Sequence, residues 1–296
     1  MGRVFRYEQL VDGAAPEPSD FSAAGQTFVE SAQQSIDRGV VDGAFIFGSF
    51  AIDNVNMRSD FDALVSTNDS SPQTYSEIHQ LVTNVREASN FKIPMGIITY
   101  PRECLAEGRH EMDRYFGHHL SGKDRLIIGS DPADYIEYPD ASSRDVVGRY
   151  IFSKRRVLSN AYTALTPEEA IDDGGLQRML ELPTAIGRKV VHAVAENGEV
   201  EDMANAYNGS DKLAIELATR EILDQTGLSD GFNCLLNLNQ GYSELVRATA
   251  SDEVSQKDYN DYISLLHGSL VNAISWLDEL GKELLPDLDK TTTLQS

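Results

Sequence analysis

Two aspartates one position apart, Asp60 and Asp62, sit inside an otherwise apolar stretch, "FIFGSFAIDNVNMRSDFDALVS", from Phe45 to Ser66. In a strand, residues two apart project to the same face. The spacing therefore sets the two carboxylates side by side while Phe61 and Ala63 enter the core. Carboxylates that close repel unless a cation neutralises them or they share a proton. A hard divalent cation suits the task, and Mg²⁺ typically takes one or two carboxylates together with substrate phosphates. Upstream, an apolar strand breaks at Gly48-Ser49. Gly48 lets the backbone approach a ligand closely, and Ser49 adds a hydroxyl and an amide at an expected helix start, which together make a phosphate cradle.

The order Phe47-Gly48-Ser49, a ten-residue spacer, then Asp60-Phe61-Asp62-Ala63 resembles the signature of the nucleotidyltransferase superfamily of DNA polymerase beta. Ser59 before Asp60 matches the Ser-Asp start common in that superfamily. Within it, the stretch looks most like the minimal and the aminoglycoside nucleotidyltransferases, which pair a catalytic sheet with a helical bundle. The resemblance implies transfer of an NMP from an NTP, with ATP the first choice, to an acceptor hydroxyl. It implies Asp60 and Asp62 as catalytic residues and Mg²⁺ ligands, with Gly48, Ser49 and Ser59 on the nucleotide. Such enzymes usually carry a third carboxylate on the next strand. Here "KIPMGIITYPRE" has no acid between Lys92 and Tyr100, leaving Thr99 as a weak ligand and Glu103 as a group that would have to reach back past Pro101. The resemblance thus leaves two classes open: an enzyme acting on a small molecule or a protein, as in toxin–antitoxin pairs, and a catalytically impaired nucleotide-binding or regulatory relative.

The elements that must position these residues follow from periodicity. Residues 22–39 read as an amphipathic helix, "VVDGAFIF" and "FDALVS" as strands, "TYSEIHQLVTNVREAS" as a helix, and "FKIPMGIITY" and "DRLIIGSD" as two further strands. Short strands interleaved with helices predict an α/β (α+β) domain with a small mixed sheet over residues 1–140. From 141 to about 290 the patterns are helical, which predicts an all-α bundle. Ser210 or Asp211 reads as an N-cap before "KLAIELATREILDQTG", with Gly227 as its stop. The last helix, "DYISLLHGSLVNAISWLDELGKELL", repeats apolar residues every three or four positions.

Composition narrows the partners. The chain of 296 residues has a net charge of −22 and is 41% hydrophobic. Residues 1–140 hold 22 acids and 11 bases, and 141–296 hold 25 and 14, a net −11 in each half. A field of that sign disfavours generic nucleic-acid binding and favours a cationic small acceptor. No run reaches the length of a membrane span. "MGRVFRYEQL" lacks an apolar signal core, and Arg6 stands where a myristoylation signal has Ser or Thr. Cys104 and Cys234 read as reduced thiols. The expectation is a cytoplasmic protein without a membrane partner, its oligomeric state left open. On the first helix after the catalytic domain, Arg149 and Lys154 in "SSRDVVGRYIFSKRR" are candidates for nucleotide phosphates. Arg188 and His192 share a helical face, one residue short of the Arg–His spacing of HEPN ribonucleases, and read as structural. The tandem His118-His119 reads as a surface turn.

Overall fold

In the computed structural model the residues described are 4–13, 15–51, 55–110, 112, 125–138, 143–164, 174–196, 215–216 and 219–284. β1 (Val41–Phe47) and β2 (Phe61–Thr67) are rich in apolar residues and buried at nearly every position, on both faces. Such a run suits a central strand covered on both sides. They pair antiparallel, Phe47 opposite Asp62. β3 (Met95–Pro101) lies parallel to β2, and β4 (Leu126–Gly129) antiparallel to β1, giving a mixed sheet of order β3-β2-β1-β4.

The parallel β2–β3 step needs a crossover, and α3 (Pro72–Ala88) supplies it. Ser71 caps α3 by accepting from the Thr74 amide at 3.2 Å, with Pro72 in the first turn, an arrangement that satisfies otherwise orphaned backbone donors. α2 (Pro18–Asp37) and α3 cover one sheet face. Phe21, Ala24 and Phe28 of α2 and Ile78, Leu81 and Val85 of α3 bury Ala44, Ile46, Phe61, Ala63 and Val65. Each large side chain so buried contributes roughly 1.5–3 kcal/mol. On the other face Phe45, Phe47 and Leu64 pack with Leu105 of α4 (Arg102–Ala106), Met112 and Ile136.

The chain folds as two compact units, one containing Gly13–Asp140 and the other Val4–Asp12 with Ala141–Ser296. The first segment joins the second unit through α1 (Tyr7–Val11) and its flanks. The Phe5 amide donates to the Tyr242 hydroxyl at 3.0 Å, the Tyr7 hydroxyl donates to the Val254 carbonyl at 3.1 Å, and the Tyr7 ring meets the Tyr259 ring edge-on. Periodicity places the first helix at 22–39; the structure has it four residues earlier, because Pro18 starts a helix well from its first turn, and adds the short α1 before it.

The second unit is helical among the described residues: α5 (Ser143–Ala164), α6 (Gly174–Glu196), a π-helical turn (Thr219–Leu223) running into Asp224–Thr226, α7 (Ser229–Ala250) and α8 (Gln256–Leu284). Arg155 of α5 grips Asp278 of α8 through both carboxylate oxygens, and the Trp276 indole donates to the Leu228 carbonyl at 3.0 Å. Gly227 takes the left-handed conformation, φ +73°, expected of a helix stop. Ser210, Asp211, His118 and His119 lie outside the described residues. A mixed α/β sheet region and an all-α region are therefore both present. No described helix is long and apolar enough to cross a membrane.

Candidate functional site

β2 brings Asp62 onto the sheet face opposite α2 and α3, because its neighbours Phe61 and Ala63 take the helix-covered face. Asp60 lies one residue before the strand and is only 6% exposed. The Phe61 amide between the two aspartates donates to the Pro94 carbonyl at 2.9 Å, which fixes the strand end against the start of β3.

Asp62 stands in a row Phe47–Asp62–Gly96 across β1, β2 and β3. Two glycines make room for it. A Cβ added to Gly48 would lie 2.8 Å from Asp62 Oδ2, and one added to Gly96 would fall on Asp62 Oδ1. Gly48 also has φ +74°, a conformation that a side chain strains. Among the described residues no side chain or amide donates a hydrogen bond to Asp62. Burial holds its carboxyl above the usual aspartate range, since removing the charged form from water is unfavourable.

Gly48–Ala51 form a turn in place of the helix start expected at Ser49. Phe50 pins that turn: its ring occupies the place a side chain at Gly25 of α2 would need and meets the Phe61 ring at 5.3 Å. Gly48 and Ser49 are half-buried at the same sheet end as the aspartates. Ser59 sits in the turn before β2. Its amide donates to the Asn56 carbonyl at 2.9 Å, and its hydroxyl oxygen accepts from the Asn56 amide at 3.0 Å. It closes the turn that presents Asp60.

The structure does not bring Thr99 or Glu103 to the pair. Thr99 pairs with Val65, an odd number of residues from the Asp62–Gly96 row, so it belongs to the opposite sheet face. Glu103 lies on α4 beyond Pro101, which pairs with Thr67 at the far end of β2. Five residues of strand separate Gly96 from Pro101, roughly 16 Å at 3.3 Å per residue. Glu103 is largely exposed there and meets Arg109 at 3.3 Å. Neither side chain reaches back. Among the described residues no group of three or more His, Cys, Asp or Glu is placed to hold a metal ion, so the candidate site is a pair of carboxylates.

Arg149 and Lys154 lie on α5, in the second unit. Arg149 is exposed. Lys154 sets its Nζ 4.8 Å from the centre of the Tyr150 ring, and burial, with the Arg178 and Lys189 charges, lowers its pKa to about 8.

Gly96 is the residue that spacing arguments overlook. A glycine inside a strand marks close approach by another group, and "PMGII" carries that signal; the group it admits is Asp62. Compared with protein-family models and with curated proteins, the chain matches none.

Proposed function

We propose that the chain is a metal-dependent nucleotidyltransferase that moves an NMP unit from an NTP, ATP first, to an acceptor hydroxyl. The observation that carries this reading is Asp62: a carboxylate held between two glycines, beside buried Asp60, with no donor from the described residues. A buried charge costs several kcal/mol unless something neutralises it. Two carboxylates as donors fit Mg²⁺, which completes its shell with water and phosphate oxygens. Asp60 and Asp62 would hold it. When bound, Mg²⁺ supplies positive charge that stabilises the developing negative charge on the phosphates.

The protein's own part is positioning. The lack of a side chain at Gly48 lets the Asp62 carboxylate stand against the turn, and the amide and hydroxyl of Ser49 are donors for a phosphate there. The acceptor oxygen forms a bond to the α-phosphorus as the bond to pyrophosphate breaks, and the acceptor's proton leaves to solvent or to a basic group on the acceptor. The net charge of −22 supports a cationic small-molecule acceptor over a polyanion; a protein hydroxyl is the other enzymatic choice.

Gly96 favours a second reading. It faces Asp62 on the strand where related enzymes carry a third acid, so the chain could bind a metal nucleotide as a regulatory protein without turning it over. Calorimetry with each NTP, with and without Mg²⁺, tests both readings. Mg²⁺-dependent binding lost in Asp60→Asn/Asp62→Asn supports the site, and pyrophosphate release then separates enzyme from sensor. Equal binding without Mg²⁺ would sink the metal role of the aspartates.

A further inference from the structure

Behind the aspartates, on the sheet face that α2 and α3 cover, the Phe61 ring lies against two others. It meets Phe50 edge-on at 5.3 Å and Phe28 of α2 at 5.4 Å, spacings at which aromatic pairs attract. Phe61 is the residue between Asp60 and Asp62, and Phe50 follows Gly48 and Ser49 in the turn. One ring contact therefore joins the two halves of the candidate site, the turn and the carboxylates, from the rear. At the front the two halves nearly touch: a Cβ at Gly48 would lie 2.8 Å from Asp62 Oδ2.

Gly25 is the seat of the Phe50 ring. It is buried within α2, where glycine is a poorer helix former than alanine. Its φ is not positive, so the backbone conformation does not call for glycine. Space does: a Cβ there would fall on Phe50 Cζ and lie 2.9 Å from Cε1. Phe28 stands three residues further along α2, so one turn of that helix holds both the Phe50 and the Phe61 rings. Close-packed interiors pass a displacement on to their neighbours. We infer that Phe50, seated on Gly25, is a positioning residue that sets the spacing between the Ser49 donors and the Asp60 and Asp62 carboxylates. The inference rests on the nucleotidyltransferase reading and deepens it. A metal-bound triphosphate would touch both halves at once, and its affinity would report their spacing.

The test is calorimetric titration of ATP with Mg²⁺ into the full chain. Gly25→Ala should push the ring from its seat and weaken binding roughly ten-fold, as for one lost hydrogen bond to a charged phosphate. Phe50→Leu, the milder change to folding, should weaken it several-fold. With the ring gone the new methyl has room, so Gly25→Ala/Phe50→Leu should bind within about two-fold of Phe50→Leu alone. Val85→Ala opens a cavity in the same core from α3. It should lower the urea midpoint and leave affinity within about two-fold. If Gly25→Ala fails to fold, Phe50→Leu against Val85→Ala still decides. Wild-type affinity in both single variants, losses that multiply in the double variant, or an equal loss in Val85→Ala would each overturn the assignment and leave the aspartate reading intact. Absence of Mg²⁺-dependent ATP binding in the wild type would instead overturn that reading, and this inference with it.

Discussion

Asp20 and Asp62 are both carboxylates drawn into the α/β unit, and the chain treats them in opposite ways. Asp20, 6% exposed, accepts from the Glu17 amide at 2.9 Å, Asn90 Nδ2 at 3.0 Å and Lys92 Nζ at 3.1 Å. Burial alone would raise its pKa, but the Glu17 amide, Lys92 and Asn90 outweigh it and hold the carboxyl below the usual range. Asp62 receives no donor from the described residues, and burial raises its pKa. Asp20 closes the first turn of α2 and ties it to the loop before β3. Among the described residues, Asp62 is spaced by glycines and receives no donor. The difference separates a charge that folding uses from a charge that folding tolerates.

Gly96→Ala gives the largest effect. Its methyl falls on Asp62 Oδ1, so the carboxylate must move. Disturbing a metal ligand in this way should weaken Mg²⁺-dependent NTP binding on the order of 10- to 100-fold, with β-sheet circular dichroism retained. An unchanged affinity would show that the position of Asp62 does not matter.

Asp20→Ala takes an acceptor from Lys92 and from Asn90 and removes the reciprocal bond to the Glu17 amide. It should destabilise the α/β unit by about 3 kcal/mol at neutral pH, measured by urea denaturation. Because the folded pKa of Asp20 is depressed, its contribution is present above the unfolded value of about 3.9 and is lost as pH falls below it. The gap between wild type and Asp20→Ala should therefore narrow in acid.

Asp62→Asn should move stability the other way. A raised folded pKa means the native state holds its proton more tightly, so Asp62 weakens folding as pH rises from about 3.9 through its folded value. Removing the charge should stabilise the metal-free protein by about 1 kcal/mol at pH 7, with the gain vanishing near pH 4. If Asp62→Asn is instead less stable at pH 7, a partner for Asp62 exists and the contrast with Asp20 collapses. The smallest effects belong to Thr99→Val and Glu103→Gln, which should leave NTP affinity within about two-fold, as expected of surface or distant positions.

Much of the fold was legible from periodicity. The four strands and α3 are long apolar or amphipathic runs bounded by Gly, Pro or polar turns, and local sequence controls such runs. The placement of Phe61 and Ala63 on one face and Asp62 on the other was equally local, set by the two-residue repeat of a strand. Glu103 and Thr99 were not legible, because their relation to Asp62 depends on β2–β3 register, which joins residues more than thirty apart. The grouping of Val4–Asp12 with the helical unit depends in the same way on Tyr242 and Tyr259, at the other end of the chain.

By itself the sequence determined which segments become strands and helices, that β2 turns Asp62 away from the face of Phe61 and Ala63, and that the chain is strongly acidic. These properties follow from side-chain type and from backbone periods of 2 and 3.6 residues. Only the tertiary structure decided that Gly96 faces Asp62, that Ser59 sits in a turn, and that Asp20 is bonded while Asp62 receives no donor from the described residues. Those outcomes arise where distant segments meet. There the environment of a carboxylate, and so its charge and its use, is set by what packs against it.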